Sequence, residues 1–478
     1  MKTIAACCFH ITLFCLVAAV ALASLDTFPF WNISYFPDRP SYFFALAGLV
    51  FWFASGRWFR EAARHKTLIG LVLAALLWST FATVCGSLQR KPGHLVFDYL
   101  IFFLNWRVWP LLFLLWTSLA LAACSRKRIV TLLSWGFGLI FLQNCVHGLL
   151  EILANLGVTD AKTFLMEKNH LFRKEKVAHG WWPPVFFEGR VRGLFAEPCF
   201  MGFSLTPLFG YFLFKVQQKK LYIVPIVFLV IMYAFGKTYS GLIEILAFFF
   251  FIIVFNPKYR TKTRLILTCS VAVAGLIFLI GSFFFFKYTE EGKLLLKQFQ
   301  NMQNVSQYCT LKNNGLQPTP PQLDYTENIQ SSVFSRLTSM WLDLDAALHS
   351  PFVGTGFFQK GFYWEPLAAC NFQQAELGIW INNIIDSPFR EVPQLSEYTT
   401  LAAEFGFPGL ALFALLYLYI AVRALCVATR NKDRLLYCLT CAYWAMLVGG
   451  LSISFINGVL FFYFSGFLYA LSQPRDWS

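Results

Sequence analysis

The chain has 478 residues, of which 57% are hydrophobic and only 13% are charged. This composition, with a mean hydropathy of +0.57, excludes an ordinary soluble globular protein. The formal net charge of +14 suits an anionic partner, but basic clusters on the cytoplasmic side of a membrane protein explain much of it without any ligand. Apolar runs of about 20 residues recur, and no period-two alternation indicates a membrane barrel. The composition therefore predicts an all-α integral membrane protein.

Apolar runs between Lys/Arg clusters predict about twelve transmembrane helices. They lie near residues 3–24, 41–56, 67–88, 105–124, 129–156, 193–214, 221–236, 238–255, 265–286, 399–422, 435–452 and 454–472. The first run resembles a signal peptide that ends at Ala21-Leu22-Ala23, but we interpret it as an uncleaved first helix. Arg107 and Pro110 interrupt the fourth run. This run is therefore either a spanning helix or an interfacial or re-entrant segment.

The basic clusters predict the orientation in the membrane. If both termini are cytoplasmic, five clusters at alternate connections also fall on the cytoplasmic side. These clusters are residues 57–66, 126–128, 215–220, 258–264 and 430–434. Two long connections, 158–192 and 287–398, then lie on the opposite side, where we expect the functional residues.

The sequence thus divides into a first transmembrane part (1–286), a large extracytoplasmic loop (287–398) and a C-terminal transmembrane part (399–478). Apolar residues at helical spacing predict an amphipathic helix over Phe334–Leu348, so the loop contains short helices. His349, just before Ser350-Pro351, suits the end of that helix. Cys309 and Cys370 both fall in the loop, where they form a disulfide or remain two free thiols.

The stretch from Arg190 to Phe203 places two arginines, Arg190 and Arg192, before a span that contains Glu197 and Pro198. A carboxylate at the centre of a membrane helix costs about 2.5–3.5 kcal/mol and less toward the ends, so Glu197 should have a cationic partner. Arg190 or Arg192 is the nearest candidate. The arginines also suit phosphate binding, because their planar fork matches phosphate oxygens. A structural ion pair at the start of the span is the alternative.

A second polar cluster, Gly236-Lys237-Thr238-Tyr239-Ser240-Gly241, lies between two apolar runs on the same predicted side. Glycines and the Ser240 hydroxyl would allow backbone amides to approach a phosphate, and Lys237 would add a positive charge. A helical hairpin whose small residues permit close packing is the alternative. The spacing is not that of a Walker A loop.

The order of the remaining motifs resembles a known family. The arginine-glycine and glutamate-proline pairs at 192–198 and the Thr-x-Ser turn at 238–240 come first. They are followed by Arg336, Trp341, Pro351-x-x-Gly354-x-Gly356, Arg390 and Glu404-x-Gly406-x-x-Gly409. Over roughly residues 185–425 this pattern resembles the superfamily of Wzy-type O-antigen polymerases and O-antigen ligases.

The resemblance implies an inverting, metal-independent glycosyltransferase that needs no cofactor. Its donor would be a glycan on undecaprenyl pyrophosphate, at the periplasmic face of the bacterial inner membrane. It implies that Arg192 and Arg336 bind the pyrophosphate, with Arg390 in the second half of the loop. The chain departs from the pattern at Gly241, where an arginine is often found.

Polymerase is favoured over ligase within the superfamily. Ligases usually carry a histidine where this chain has Ser396-Glu397-Tyr398. The Glu197-Pro198 pair also favours a polymerase. The acceptor would then be a second lipid-linked repeat unit, and the polymer an O-antigen, capsule or exopolysaccharide. Glu197 and Glu397 are the candidates for the base that activates the acceptor hydroxyl.

Two alternatives stay open at this point. One is an O-antigen ligase that transfers glycan to the lipid A core, and the other is a solute transporter, against which the lack of two similar halves argues. We expect membrane lipid as a partner and no nucleic acid. Whether a chain-length regulator also binds is left open by the sequence.

Overall fold

We describe the fold from a computed structural model of the chain. It describes residues 2–25, 39–88, 99–101, 103–168, 188–195, 197–237, 239–255, 300, 303–304, 307–320, 331–366, 394–455 and 458–473. Regular secondary structure in these residues is helical throughout, which confirms the all-α fold class.

The α-helices are numbered here in chain order. They are α1 Lys2–Ala21, α2 Pro40–Ala54, α3 Trp58–Arg64, α4 Lys66–Leu88, α5 Trp109–Ala122, α6 Arg126–Asn155, α7 Thr159–Lys168, α8 Pro198–Val216, α9 Ile223–Gly236, α10 Tyr239–Val254, α11 Ser331–His349, α12 Lys360–Trp364, α13 Glu397–Arg430, α14 Arg434–Gly449 and α15 Leu460–Leu471. A π-helix, Leu104–Val108, precedes α5, and a short 3-10 helix, Lys220–Tyr222, precedes α9.

Six of these helical segments are long and apolar enough to cross a membrane, or seven if α2 and α3, bent by 94°, form one broken span. Four shorter apolar segments are Lys220–Gly236, Gly241–Val254, Arg434–Gly449 and Leu460–Leu471. The protein is therefore a helical, multi-pass membrane protein. The span predicted at 265–286 lies outside the described residues, so the total of about twelve stays a prediction.

The interrupted fourth span is a continuous helical segment, Tyr99–Ala122. The polar residues fall in the π-helix Leu104–Val108, and Pro110 occupies the first turn of α5, where a proline needs no amide hydrogen. Arg107 is 1% exposed, and its guanidinium lies 5.7 Å from the ring centroid of Phe413. A local π-turn accommodates this arginine.

The described residues form two compact units, which are treated separately below. The first comprises residues 1–77, 101–249 and 412–478, and the second comprises residues 78–100 and 250–411. In the first unit α1 packs against α2, where the Thr12 hydroxyl donates to Gly48 O at 3.4 Å. Arg126 forms an ion pair with Asp433, so the basic clusters at 126–128 and 430–434 lie at the same end of this unit.

The predicted amphipathic helix of the second unit is confirmed as α11, which ends at His349 as expected. Its buried side differs in part from the predicted apolar stripe. Leu342 and Ala346 are buried, whereas Trp341 is 41% and Leu348 61% exposed. The choice between a Cys309–Cys370 disulfide and two free thiols stays open, because Cys370 lies outside the described residues.

Candidate functional site

The segment that contains Arg190 and Arg192 is held against α6 by the side chains of that helix. Glu151 Oε2 accepts hydrogen bonds from Arg192 N at 2.9 Å and Gly193 N at 2.8 Å. Asn144 Oδ1 accepts from Leu194 N at 2.9 Å. A non-helical segment buried in a membrane protein needs such acceptors, because no water is available to satisfy its amides. The polar side chains of α6 therefore fix the path of this segment.

Gly193 is required at its position by both conformation and space. Its φ is +61°, in the left-handed region, and a Cβ there would lie 2.4 Å from Asn144 Oδ1. The arginine-glycine pair of the motif thus has a structural explanation. The glycine brings the backbone close enough to α6 for Glu151 to bind two successive amides.

Arg192 is completely buried, with 0% exposure. Its Nε lies 3.8 Å from Glu151 Oε1, and His147 Nδ1 lies 3.6 Å from the same oxygen. Neither Glu151 nor His147 is among the site residues predicted from the sequence. Glu197 precedes α8 at its N-cap position, is 8% exposed, and has the Cys199 thiol 3.1 Å from its Oε2.

Arg190 and Lys237 are both exposed and lie on adjoining segments. Val191 N donates to Phe235 O at 3.1 Å, which docks the segment against the end of α9. The Lys237 ammonium is 3.6 Å from the position that a Cβ on Gly189 would take. Within the described part of the chain, no carboxylate lies within ion-pair distance of either side chain. Among the described residues, the two cations therefore present positive charge that no carboxylate compensates.

The neighbouring acidic residue does not neutralise them. Glu188 forms an ion pair with Lys162 at 2.8 Å, and this hydrogen bond and charge lower the pKa of Glu188. Lys237 itself caps α9 in the left-handed conformation, with φ of 49°. The side chain of Ser240, predicted to share this turn, lies outside the described residues, although its backbone belongs to α10.

In the second unit, the two glycine motifs of the large loop and α13 dock onto each other. Thr355 N donates to Ala403 O and Gly356 N to Glu404 O, both at 2.8 Å. Phe407 N donates to Pro351 O, also at 2.8 Å. Because these are backbone bonds, the motifs Pro351-x-x-Gly354-x-Gly356 and Glu404-x-Gly406 form one structural element.

A buried ion pair lies beside this element. Lys360 Nζ is 2.8 Å from Asp343 Oδ1, and both side chains are 1% exposed. The hydroxyls of Thr399 and Thr400 donate to Asp343 Oδ2 at 3.3 and 3.2 Å. Burial raises the pKa of Asp343 above its ordinary value, although the Lys360 charge opposes that effect. Neither Asp343 nor Lys360 was predicted from the sequence to be a site residue.

The structure describes the remaining predicted site residues only in part. Glu397 begins α13 and has 0% exposure. The backbone of Arg336 belongs to α11, but its side chain and the whole of Arg390 lie outside the described residues. Arg192 and Glu197 belong to the first unit, and Glu397 belongs to the second.

Most of the site residues that were not predicted from the sequence form ion pairs or hydrogen bonds inside the fold. Three of them, Asn144, Glu151 and Asn155, could have been found from the sequence, because they are polar residues that recur on one face of an apolar span.

Comparison with protein-family models and with curated proteins finds no match to this chain.

Proposed function

We propose that this chain is a membrane glycosyltransferase that polymerises undecaprenyl-pyrophosphate-linked repeat units at the periplasmic face of the bacterial inner membrane. The observation that supports this proposal most is the pair of exposed cations, Arg190 and Lys237. They lie on adjoining segments, just before two of the motifs that the resemblance rests on, and lack a carboxylate partner among the described residues. Uncompensated positive charge at the end of membrane helices suits a pyrophosphate anion.

The chemistry asked of such a site is mainly electrostatic. The pyrophosphate leaves when the acceptor hydroxyl attacks the anomeric carbon, and negative charge develops on the leaving oxygen. Arg190 and Lys237 would stabilise that charge by charge-assisted hydrogen bonds. Arg190 offers two parallel donors to phosphate oxygens, whereas Lys237 acts as a point charge.

Arg192 has a different part in this proposal. Its guanidinium is buried beside Glu151, so its role is to hold the segment in place. The resemblance also assigns pyrophosphate binding to Arg336 and Arg390 of the large loop, and that assignment stays a prediction. Glu197 and Glu397 remain the two candidates for the base that takes the proton of the acceptor hydroxyl.

The proposal predicts a graded response to neutralising the exposed cations. Arg190→Gln and Lys237→Gln should each weaken donor binding roughly 10- to 100-fold, because one charge-assisted hydrogen bond is worth about 1.5–3 kcal/mol. The measurement is the initial rate of polymer formation in proteoliposomes against the concentration of lipid-linked donor. Lys162→Gln is the matched control, since it removes a nearby positive charge that is already paired with Glu188. Equal effects of all three substitutions would contradict the site.

Deleting the gene in its own host separates the proposed activity from its alternatives. A surface that carries single repeat units and no long chains identifies a polymerase. Loss of all lipid A-attached glycan, with lipid-linked polymer accumulating, identifies a ligase. An unchanged glycan pattern would leave the transporter as the better interpretation.

A further inference from the structure

A second buried carboxylate lies in the first unit and is not used by the proposed reaction. Glu244 belongs to the apolar helix α10 and has 0% exposure. Its Oε2 lies 2.9 Å from the Thr206 hydroxyl of α8. A Cβ on Gly449 of α14 would lie 2.5 Å from its Oε1, so α14 packs directly on the carboxyl group.

Among the described residues, no lysine, arginine or histidine lies within ion-pair distance of Glu244, and its Oε1 has no hydrogen-bond partner there. The Tyr233 phenol, from α9, is a titratable group that faces it. Burying an ionised carboxylate without a cationic partner is costly.

Oxygen atoms of α8 and α9 surround the Glu244 carboxyl group. Thr206 Oγ1 lies 2.9 Å from Glu244 Oε2, 3.0 Å from the Tyr233 hydroxyl and 3.1 Å from Gly202 O, and the Tyr233 hydroxyl lies 2.6 Å from Gly202 O. The two hydroxyl groups carry one hydrogen each, so they cannot supply a hydrogen to every one of these contacts. A proton on Glu244 would supply a third hydrogen.

We propose that Glu244 is an intramembrane proton-binding site, and that its bound proton is the third hydrogen of this chain of contacts. The carboxylic acid donates to Thr206, Thr206 donates to Tyr233, and Tyr233 donates to the carbonyl of Gly202. In this arrangement each donor has an acceptor. The proton links α10 to α8 and α9, and it allows α14 to pack against a neutral group. This inference is independent of the proposed glycosyltransferase activity.

A hydrophobic carbodiimide tests the proposal on the full chain in native membranes. Such a reagent reacts with a protonated carboxyl group: the acid oxygen bonds to the carbodiimide carbon, the proton moves to a nitrogen, and the acyl group then migrates to nitrogen as a stable acylurea. We expect an adduct at Glu244 at mildly acidic pH, less of it at alkaline pH, and none in Glu244→Gln. Glu151 is the control carboxylate in the same sample and should react less, because its Oε2 accepts from two backbone amides and its Oε1 lies 3.8 Å from Arg192 Nε.

Infrared spectroscopy decides the question where the reagent fails to reach the site. The spectrum of the wild type minus that of Glu244→Gln should contain the carbonyl stretch of a protonated carboxylic acid at neutral pH. Thr206→Val should move that band to higher frequency, since the acid then loses its acceptor. A difference band of an ionised carboxylate at neutral pH would overturn the proposal. So would loss of the acid band on adding sodium ions at constant pH, which would indicate a metal-cation site.

Discussion

Two segments that carry the family-like motifs are held in place by different kinds of contact. Side chains make most contacts of the segment 188–195: Asn144, Glu151 and Asn155 of α6 accept hydrogen bonds from its backbone amides, and one backbone bond links it to α9. Backbone bonds make most contacts of the loop 351–357 with residues 403–407, and the Thr355 hydroxyl also donates to Ala403 O. The first segment thus depends mainly on polar side chains, and the second mainly on glycines that let two backbones meet.

This difference predicts different sensitivities to substitution. A side-chain contact can be weakened gradually, because a smaller or neutral side chain still leaves part of the interaction in place. A backbone contact at a glycine has no such intermediate, since any Cβ blocks it. We therefore expect a steep response in the loop 351–357 and a graded one in the segment 188–195.

The largest effect is expected at Gly406, in the middle of the backbone contact. Its φ is +68°, and a Cβ would lie 2.3 Å from Phe352 O. Gly406→Ala should therefore separate the loop from α13, with a loss above about 4 kcal/mol, in the range reserved for severe single substitutions. The measurement is the yield and thermal unfolding of detergent-purified protein.

A glycine in an open position is the control for that substitution. Gly138 lies within α6, where an added Cβ would meet no atom within 4 Å. Gly138→Ala should be neutral or slightly stabilising, because alanine favours the helix. If Gly406→Ala unfolded no more readily than Gly138→Ala, the docking of the two glycine motifs would be wrong.

A smaller but still large effect is expected at Glu151, the main side-chain contact of the segment 188–195. Glu151→Ala leaves Arg192 buried without this carboxylate and removes the acceptor of two amides, so we expect a loss of about 3–5 kcal/mol. Thermal unfolding measures it, with Glu167→Ala on the exposed surface of α7 as the control.

The double variant sharpens this prediction. Removing Arg192 as well should cost less than the sum of the two single losses, because the second substitution removes the buried charge that the first left behind. Strict additivity would show that Glu151 and Arg192 do not interact, and would leave the path of the segment to the hydrogen bonds of Asn144 and Asn155.

Much of the fold was predictable from the sequence, because lipid restricts a spanning segment to an apolar helix. The predicted spans at 67–88 and 129–156 correspond to Lys66–Leu88 and Arg126–Asn155. The amphipathic α11 was predicted from its spacing as well. These features depend on neighbours along the chain, which a single sequence displays directly.

The partners within the candidate site were not predictable in the same way. Arg192 and Glu151 are 41 residues apart, and nothing local to Arg190-Val191-Arg192 identifies the acidic residue that faces it. The glycines at 354 and 406 were visible as motifs, but their contact depends on the tertiary fold. Pairing across the chain is set by packing, so a single sequence indicates which residues are unusual and not which of them meet.

The smallest effect is expected at Asn155, at the exposed edge of the side-chain contact. Its Oδ1 accepts from Gly189 N at 2.6 Å, and its Nδ2 donates to Arg190 O at 3.1 Å. Asn155→Ala should cost only about 0.5–1.5 kcal/mol, since water replaces the lost partners. Its effect on donor binding should exceed that on stability, because the two bonds position the backbone of Arg190.

Asn155→Asp separates the two hydrogen bonds. The aspartate keeps an acceptor for Gly189 N but loses the donor to Arg190 O and places a negative charge beside the exposed cations. Thermal stability should therefore stay close to that of the wild type, while the donor concentration needed for half-maximal rate should rise. If that concentration stayed unchanged while stability fell, Asn155 would act on the fold alone, and Arg190 would not need its backbone fixed in order to bind the donor.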